Sequence, residues 1–156
     1  MRLMGLDYGT KTVGVALSDE LLMSSQPKET IVRERPDKLR RTLARIEELV
    51  EEYDVALIVL GLPLNMDDTA GERAQAALAF RDRVERRCSV PVVMSDERLT
   101  TVESDRMLDE MGVKRENRKK VIDQVAASLI LSEYMENHRD SIEKLKEEQK
   151  KDNEET

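Results

Sequence analysis

The sequence predicts an α/β domain around a mixed sheet, antiparallel at its start and parallel afterward, and three observations lead there. Leu3 to Asp19 reads as a hairpin, because Met4 and Leu6, then Val13, Val15 and Leu17, place apolar side chains at every second position around the turn Tyr8-Gly9-Thr10-Lys11. Val55 to Leu60 is an unbroken apolar run of strand length, which suits a strand buried on both faces. Finally, that run and a second one, Val90 to Met94, alternate with segments of helical spacing. Together with a weaker strand at Thr30 to Val32, these runs give five strands with helices on both faces. In such sheets, sites form beyond the carboxyl ends of the parallel strands.

Each helix has its own signature. After Pro27 and the short third strand, Asp37 is placed to open a helix whose Leu39, Leu43, Ile46 and Val50 follow a spacing of four, three and four. Thr69 with Glu72 forms a capping-box pattern ahead of Ala77, Phe80, Val84 and Cys88. Thr100 with Glu103 repeats that pattern for a helix running to about Met111, and Gly112 stops it. Asn117 is placed to cap a helix carrying Val121, Ile122, Val125, Ala126, Ala127, Leu129, Ile130 and Leu131, apolar on nearly every side and therefore buried. The domain is expected over residues 1–137. Residues 138–156, with only Ile142 and Leu145 apolar, read as a charged helical tail that frays into disorder.

Composition narrows the function. With an aromatic share of 3% and no Trp, the chain is poorly supplied with platforms for stacking unpaired bases. A formal net charge of −7 excludes nucleic-acid binding through overall charge, so local clusters decide the electrostatics. Two are basic: Arg33 to Arg45 holds six Lys or Arg against two acids, and Lys114 to Lys120 holds five against one. The single cysteine, Cys88, excludes a disulfide framework and reads as a small buried hydrophobe. No apolar stretch has the length of a signal peptide or a membrane span, which predicts a cytosolic protein without membrane contact.

Three carboxylates stand out against this background. Asp7 lies where the first strand runs out, with Gly9 and Gly14 leaving room for backbone, metal or phosphate to come close. Glu97 follows the last strand, at the same edge of the sheet. Asp123 sits among apolar neighbours in the last major helix, where an ionised carboxylate is costly unless it is paired or bound to a cation. Three acids without a His or Cys partner match the oxygen coordination of Mg²⁺ or Mn²⁺. Two such ions support phosphodiester cleavage by activating water and stabilising the leaving oxygen. Read singly, Asp7 is equally a turn former, Glu97 a surface acid, and Asp123 an acid near a helix N-terminus paired with Lys119 or Lys120.

Four ordered motifs carry a family resemblance. Gly5-Leu6-Asp7-Tyr8-Gly9 with Gly14-Val15-Ala16, Gly61-Leu62-Pro63-Leu64-Asn65-Met66-Asp67, Asp96-Glu97-Arg98-Leu99-Thr100-Thr101, and Asp123 with Ala126-Ala127 resemble the YqgF (RuvX) family over Leu3 to Tyr134. The resemblance implies a ribonuclease H-like fold, a cytoplasmic location and a metal-dependent nuclease with Asp7, Glu97 and Asp123 as its catalytic and metal-holding acids. It also implies a role in maturing the 5′ end of pre-16S rRNA, or alternatively in resolving Holliday junctions. Departures from the family pattern are Thr12, Asp68 and Ser132, none of them at the acids.

An actin-like or sugar-kinase ATPase also opens with Asp-x-Gly, but it needs two related domains, which 156 residues cannot supply. A non-catalytic module binding nucleic acid, the transcription machinery or ribosome-assembly factors is the remaining rival, and three acids at the family positions weigh against it. The expected substrate contacts are Lys11, Asn65, Arg98, Arg118, Lys119 and Lys120, on a monomer or homodimer.

Overall fold

The structure, a computed structural model, describes residues 1–63, 71–97, 109–110, 112, 114 and 118–155. Its centre is a five-stranded sheet in the order β3-β2-β1-β4-β5, formed by β1 (Arg2–Tyr8), β2 (Thr12–Ser18), β3 (Ser25–Val32), β4 (Val55–Pro63) and β5 (Val92–Glu97). The pairs β1/β2 and β2/β3 are antiparallel, whereas β1/β4 and β4/β5 are parallel, which is the mixed sheet the alternation predicts. The described helices are α1 (Arg40–Glu52), α2 (Glu72–Cys88), α3 (Arg118–Asn137) and α4 (Arg139–Glu155).

Strand alternation sorts the apolar residues into two cores. Met4, Leu6, Val13, Val15, Ile58 and Leu60 turn to one face and pack against Leu43, Ile46 and Leu49 of α1 and Phe80 and Val84 of α2. Leu3, Ala16, Leu57 and Val59 turn to the other and pack against Ala127, Ile130 and Leu131 of α3. The near absence of polar faces on α3 follows from its position, because it crosses the middle of the sheet and is covered in turn by Ile142 of α4. Among the described residues, no helix is long and apolar enough to cross a membrane.

The backbone of α3 lies directly on two glycines of the sheet. A Cβ added to Gly5 would stand 2.6 Å from the Ala127 carbonyl oxygen, and one on Gly14 would stand 1.9 Å from that of Asp123. Asp123, Ala127 and Leu131 form one stripe at a spacing of four, and this stripe rests on the two glycines. Ser25 Oγ donates to the Ser128 carbonyl at 2.6 Å and so ties the helix to β3 as well.

Several local expectations are corrected. Pro27 does not precede the third strand but lies inside it, opposite Ala16 beside a register shift, which an edge strand tolerates because its outward positions need no donor. Asp37 does not open α1; it sits in a turn, and Leu39 is the N-cap. The capping box at Thr69 and Glu72 does not form, since Gly71 is the N-cap and Glu72 the first helical residue; Thr69 itself lies outside the described residues. β5 begins and ends later than its apolar run, so Asp96 and Glu97 belong to the strand. The helix expected from Thr100 falls mostly outside the described residues, although Asp109 and Glu110 are helical and Gly112 has φ +74°, as a helix-stopping glycine does. Asn117 is also outside them. The tail expected to fray is helical through Glu155, docked by Ile142, which is 1% exposed, and by the Arg139 guanidinium, which donates to the Leu22 carbonyl at 2.7 Å.

Cys88 packs half-buried against the α1/α2 core, and burial together with the Glu47 carboxylate pushes its thiol up to about 11. Alkylation by iodoacetamide at pH 8 should therefore be slow in the native protein and fast in urea; equal rates would show an accessible thiolate. Gly14→Ala should cost roughly 2–3 kcal/mol in urea denaturation, since the added methyl meets backbone that cannot rotate away. A smaller loss than for an exposed alanine substitution would mean that α3 does not sit on β2.

Candidate active site

Asp7 is the penultimate residue of β1, half-buried, and pairs across the antiparallel ladder with Gly14. Residues directly opposite in such a ladder have Cα atoms about 5 Å apart. Gly14 is the residue on which the Asp123 backbone rests. The sequence thus brings two distant acids together through a glycine: one lies beside it on the neighbouring strand, the other passes over it on the helix. Asp7 also shares strand parity with Leu3, in the α3-side core, and Gly5, beneath Ala127, so its position belongs to the face that α3 covers. Asp123 is half-buried.

Glu97 ends β5 opposite Pro63 of β4. Its backbone is therefore at the carboxyl edge of the parallel strands, two strands from Asp7, with Gly61 and Ser95 paired between them. It shares parity with Val93, which packs against the α3-side core. Among the described residues, no three acid, imidazole or thiol side chains gather closely enough to hold a cation. Two of the three acids are thus brought together by described side-chain-bearing elements, and the third is placed by backbone register.

Of the expected substrate contacts, Lys11 is exposed in the β1–β2 turn. Arg118, Lys119 and Lys120 form the first turn of α3, about one turn ahead of Asp123 along the helix. Asn65 and Arg98 lie outside the described residues, as does Asp68.

One residue beside this edge was not singled out by the sequence. Arg33, just past β3, is 6% exposed and reaches under the β1–β2 turn. Its Nη2 donates to the carbonyls of Gly9 at 2.5 Å and Thr10 at 2.6 Å, while its backbone N–H donates to the Lys11 carbonyl at 2.8 Å. The guanidinium lies 4.8 Å from the Tyr8 ring centroid, and Tyr8 in turn stacks on Phe80 of α2 at 4.2 Å. Burial lowers the Arg33 pKa from its ordinary value, with Tyr8 opposing the shift, and the group stays charged. The turn that follows Asp7 is therefore clamped from below by a buried cation. In the sequence Arg33 is one of six cations in a basic run, and nothing there distinguishes it from its exposed neighbours.

Sequence and fold both have known relatives. The sequence profile of a family described as "RuvX: Holliday junction resolvase" matches residues 1–137. The chain belongs to the RuvX family. Relatives of this RuvX chain named "Putative pre-16S rRNA nuclease" include one from Lachnospira eligens, 62% identical over 136 residues, covering 87% of this chain and 97% of the relative. Another, from Agathobacter rectalis, is 53% identical and covers 87% and 95%. Among solved structures, Thermus thermophilus RuvC in complex with a Holliday junction substrate superposes with a TM-score of 0.58 at 17% identity, covering 88% of this chain and 96% of that one. The fowlpox virus Holliday junction resolvase gives 0.54 at 16% identity, covering 88% and 99%. At those identities the likeness is one of fold, and it is the ribonuclease H-like fold of resolvases that the RuvX motifs imply.

Arg33→Met should free the turn while filling the same space. The loss of two charge-assisted bonds predicts a destabilisation of roughly 2–4 kcal/mol and faster amide exchange at Gly9 to Lys11. Unchanged exchange there would show that the clamp does not hold the turn.

Proposed function

We propose that this RuvX-family protein is a divalent-metal-dependent nuclease that hydrolyses phosphodiester bonds in structured nucleic acid, with Asp7, Glu97 and Asp123 as its catalytic acids and the 5′ end of pre-16S rRNA as its substrate. The observation that carries the reading is the seating of Asp123 on Gly14, directly across the ladder from Asp7. Two carboxylates held beside each other at a half-buried edge repel unless a cation intervenes, and a donor set of oxygen without imidazole or thiolate fits Mg²⁺ or Mn²⁺. Asp7, Asp123 and Glu97 would hold the ions. When bound, they supply a water made acidic enough to attack and charge to balance the leaving oxygen.

The remaining work falls to the chain itself. The Arg33 clamp fixes the backbone after Asp7, so the carboxylate does not drift with the turn. Lys11, exposed on that turn, and Arg118, Lys119 and Lys120, in the first turn of the helix of Asp123, would grip phosphates, together with Asn65 and Arg98, which follow β4 and β5 in the sequence. Residues 138–156 act as an appended charged tail behind the nuclease domain of residues 1–137. The relatives' name favours pre-16S rRNA, and the family description favours the four-way DNA junction as the second reading. The protein is expected to work in the cytoplasm, as a monomer or homodimer, in contact with ribosome-assembly or transcription factors.

Parallel assays on labelled pre-16S rRNA 5′ ends and four-way DNA junctions, with Mn²⁺, Mg²⁺ or chelator, test both readings. Asp7→Asn should lower cleavage of the true substrate by roughly 100-fold or more while the fold persists, because Asn keeps the shape and loses the charge. Parental cleavage by the Asn protein would sink the assignment. Mn²⁺ at a hundredfold excess over its dissociation constant should stabilise the parent by about 2.7 kcal/mol and the Asn protein by less. Equal stabilisation would place the ion elsewhere.

A further inference from the structure

On the opposite side of the β1–β2 turn from α3, a cavity of about 630 Å³ opens between the end of β3, the start of α1 and the middle of α2. Lys38, Arg40 and Arg41 line it from the α1 side and Arg83 from α2, with Arg33 alongside. Glu34 and Asp37 are the acids of the lining, leaving a formal charge of +3 from five cations and two carboxylates. This is a concentrated positive surface on a chain of net charge −7.

Three further observations point to an anion there. First, three other arginines of the same two helices are engaged: Arg45 binds Glu29 and Glu48, Arg81 binds Asp82, and Arg87 binds Glu47. The side chains of Lys38, Arg40, Arg41 and Arg83 make no ion pair or hydrogen bond with the described side chains, although acids lie on the same wall. Second, the N-terminus of α1 has no side-chain cap and no acid in its first turn, so its first N–H groups and the positive end of its dipole add to the field. Third, Arg33 is nine-tenths buried, and its Nη1 is a buried donor without a partner. Buried orphan donors are rare because each forfeits its hydration.

We infer that this cavity is a second phosphate-binding subsite, which takes the sugar-phosphate backbone of the nucleic acid beyond the point of cleavage. The inference rests on the nuclease reading for the identity of the polyanion but not for the site itself. Arg33 joins the two regions, since it lines the cavity and also holds Gly9 and Thr10, two and three residues after Asp7. Cations therefore continue from Lys11 on the turn, through Arg33, to Lys38, Arg40, Arg41 and Arg83. No aromatic residue lines the cavity, so bases have nothing to stack on and contact is with phosphate alone. Such contacts position a strand without reading its sequence.

The test is the salt dependence of binding, measured in EDTA so that cleavage plays no part, with a labelled RNA hairpin carrying a single-stranded 5′ extension. In Arg40→Ala/Arg41→Ala/Arg83→Ala, the slope of log affinity against log salt should flatten by about 2 to 3, from three lost contacts at 0.7–0.9 each, and affinity should fall roughly tenfold or more at physiological salt. All three side chains are exposed, so the fold is spared, and the corresponding triple Lys variant should restore the slope. Arg81→Ala/Arg86→Ala, on α2 outside the cavity, should leave it unchanged. An unchanged slope in the triple Ala variant overturns the subsite and leaves the acids' assignment standing, whereas equal flattening in the control pair assigns the effect to net charge and also overturns it. If inorganic triphosphate raises the melting temperature of the parent and RNA does not, the occupant is a small polyphosphate and the nucleic-acid assignment fails. Parental cleavage by Asp7→Asn would remove the nuclease site without touching this slope.

Discussion

The proposed catalytic centre depends on how closely α3 comes to the sheet. Helices usually stand off a sheet by the length of the side chains between them, but Gly5 and Gly14 remove those side chains, and the backbone of α3 at Asp123 and Ala127 descends onto the strands. The gain is more than packing. The helix backbone at Asp123 is lowered onto Gly14, and Gly14 lies opposite Asp7. The ladder register and the helix seat are therefore one constraint, and a one-residue slip in either would separate the acids.

The second organising feature is electrostatic. Arg33 is a buried cation with no carboxylate on it among the described residues: carbonyl dipoles from the turn and the face of Tyr8 hold it. An ion pair would have cancelled its field, whereas dipoles and a ring leave it in place. The proposed acids therefore lie on the face where α3 crosses, and the cation-lined cavity lies where α1 begins. A polyanion crossing that edge meets a cation-demanding centre on one side and ready-made cations on the other.

Much of this was legible in the sequence. Period-two spacing located β1 and β2, apolar runs located β4 and β5 and, weakly, the end of β3, and helical spacing located the buried stripes of α1, α2 and α3, because burial is what both the pattern and the fold express. Cap positions were read less well: Asp37 and the Thr69 to Glu72 pair have the right side chains, but the chain geometry entering α1 and α2 puts Leu39 and Gly71 at the caps. Pro27 misled because a breaker in a central strand is an ordinary residue in an edge strand, and edge status is a property of the sheet, not of the segment. In the site, the acids announced themselves by chemical type, but the reason Gly14 must be glycine, and the choice of Arg33 from a run of similar cations, exist only in three dimensions.

The order of the strands has a consequence for the newborn chain. β1, β2 and β3 form a local meander and can pair as soon as they leave the ribosome, while β1 waits for β4 on its other side until α1 has been made. The central strand is the first synthesised and among the last enclosed, since α3, which covers its glycine, comes later still. Asp7 is thus made well before Asp123. A product that stops short of α3 carries the first acid without the second, so the proposed hydrolytic centre is assembled only once α3 has been made.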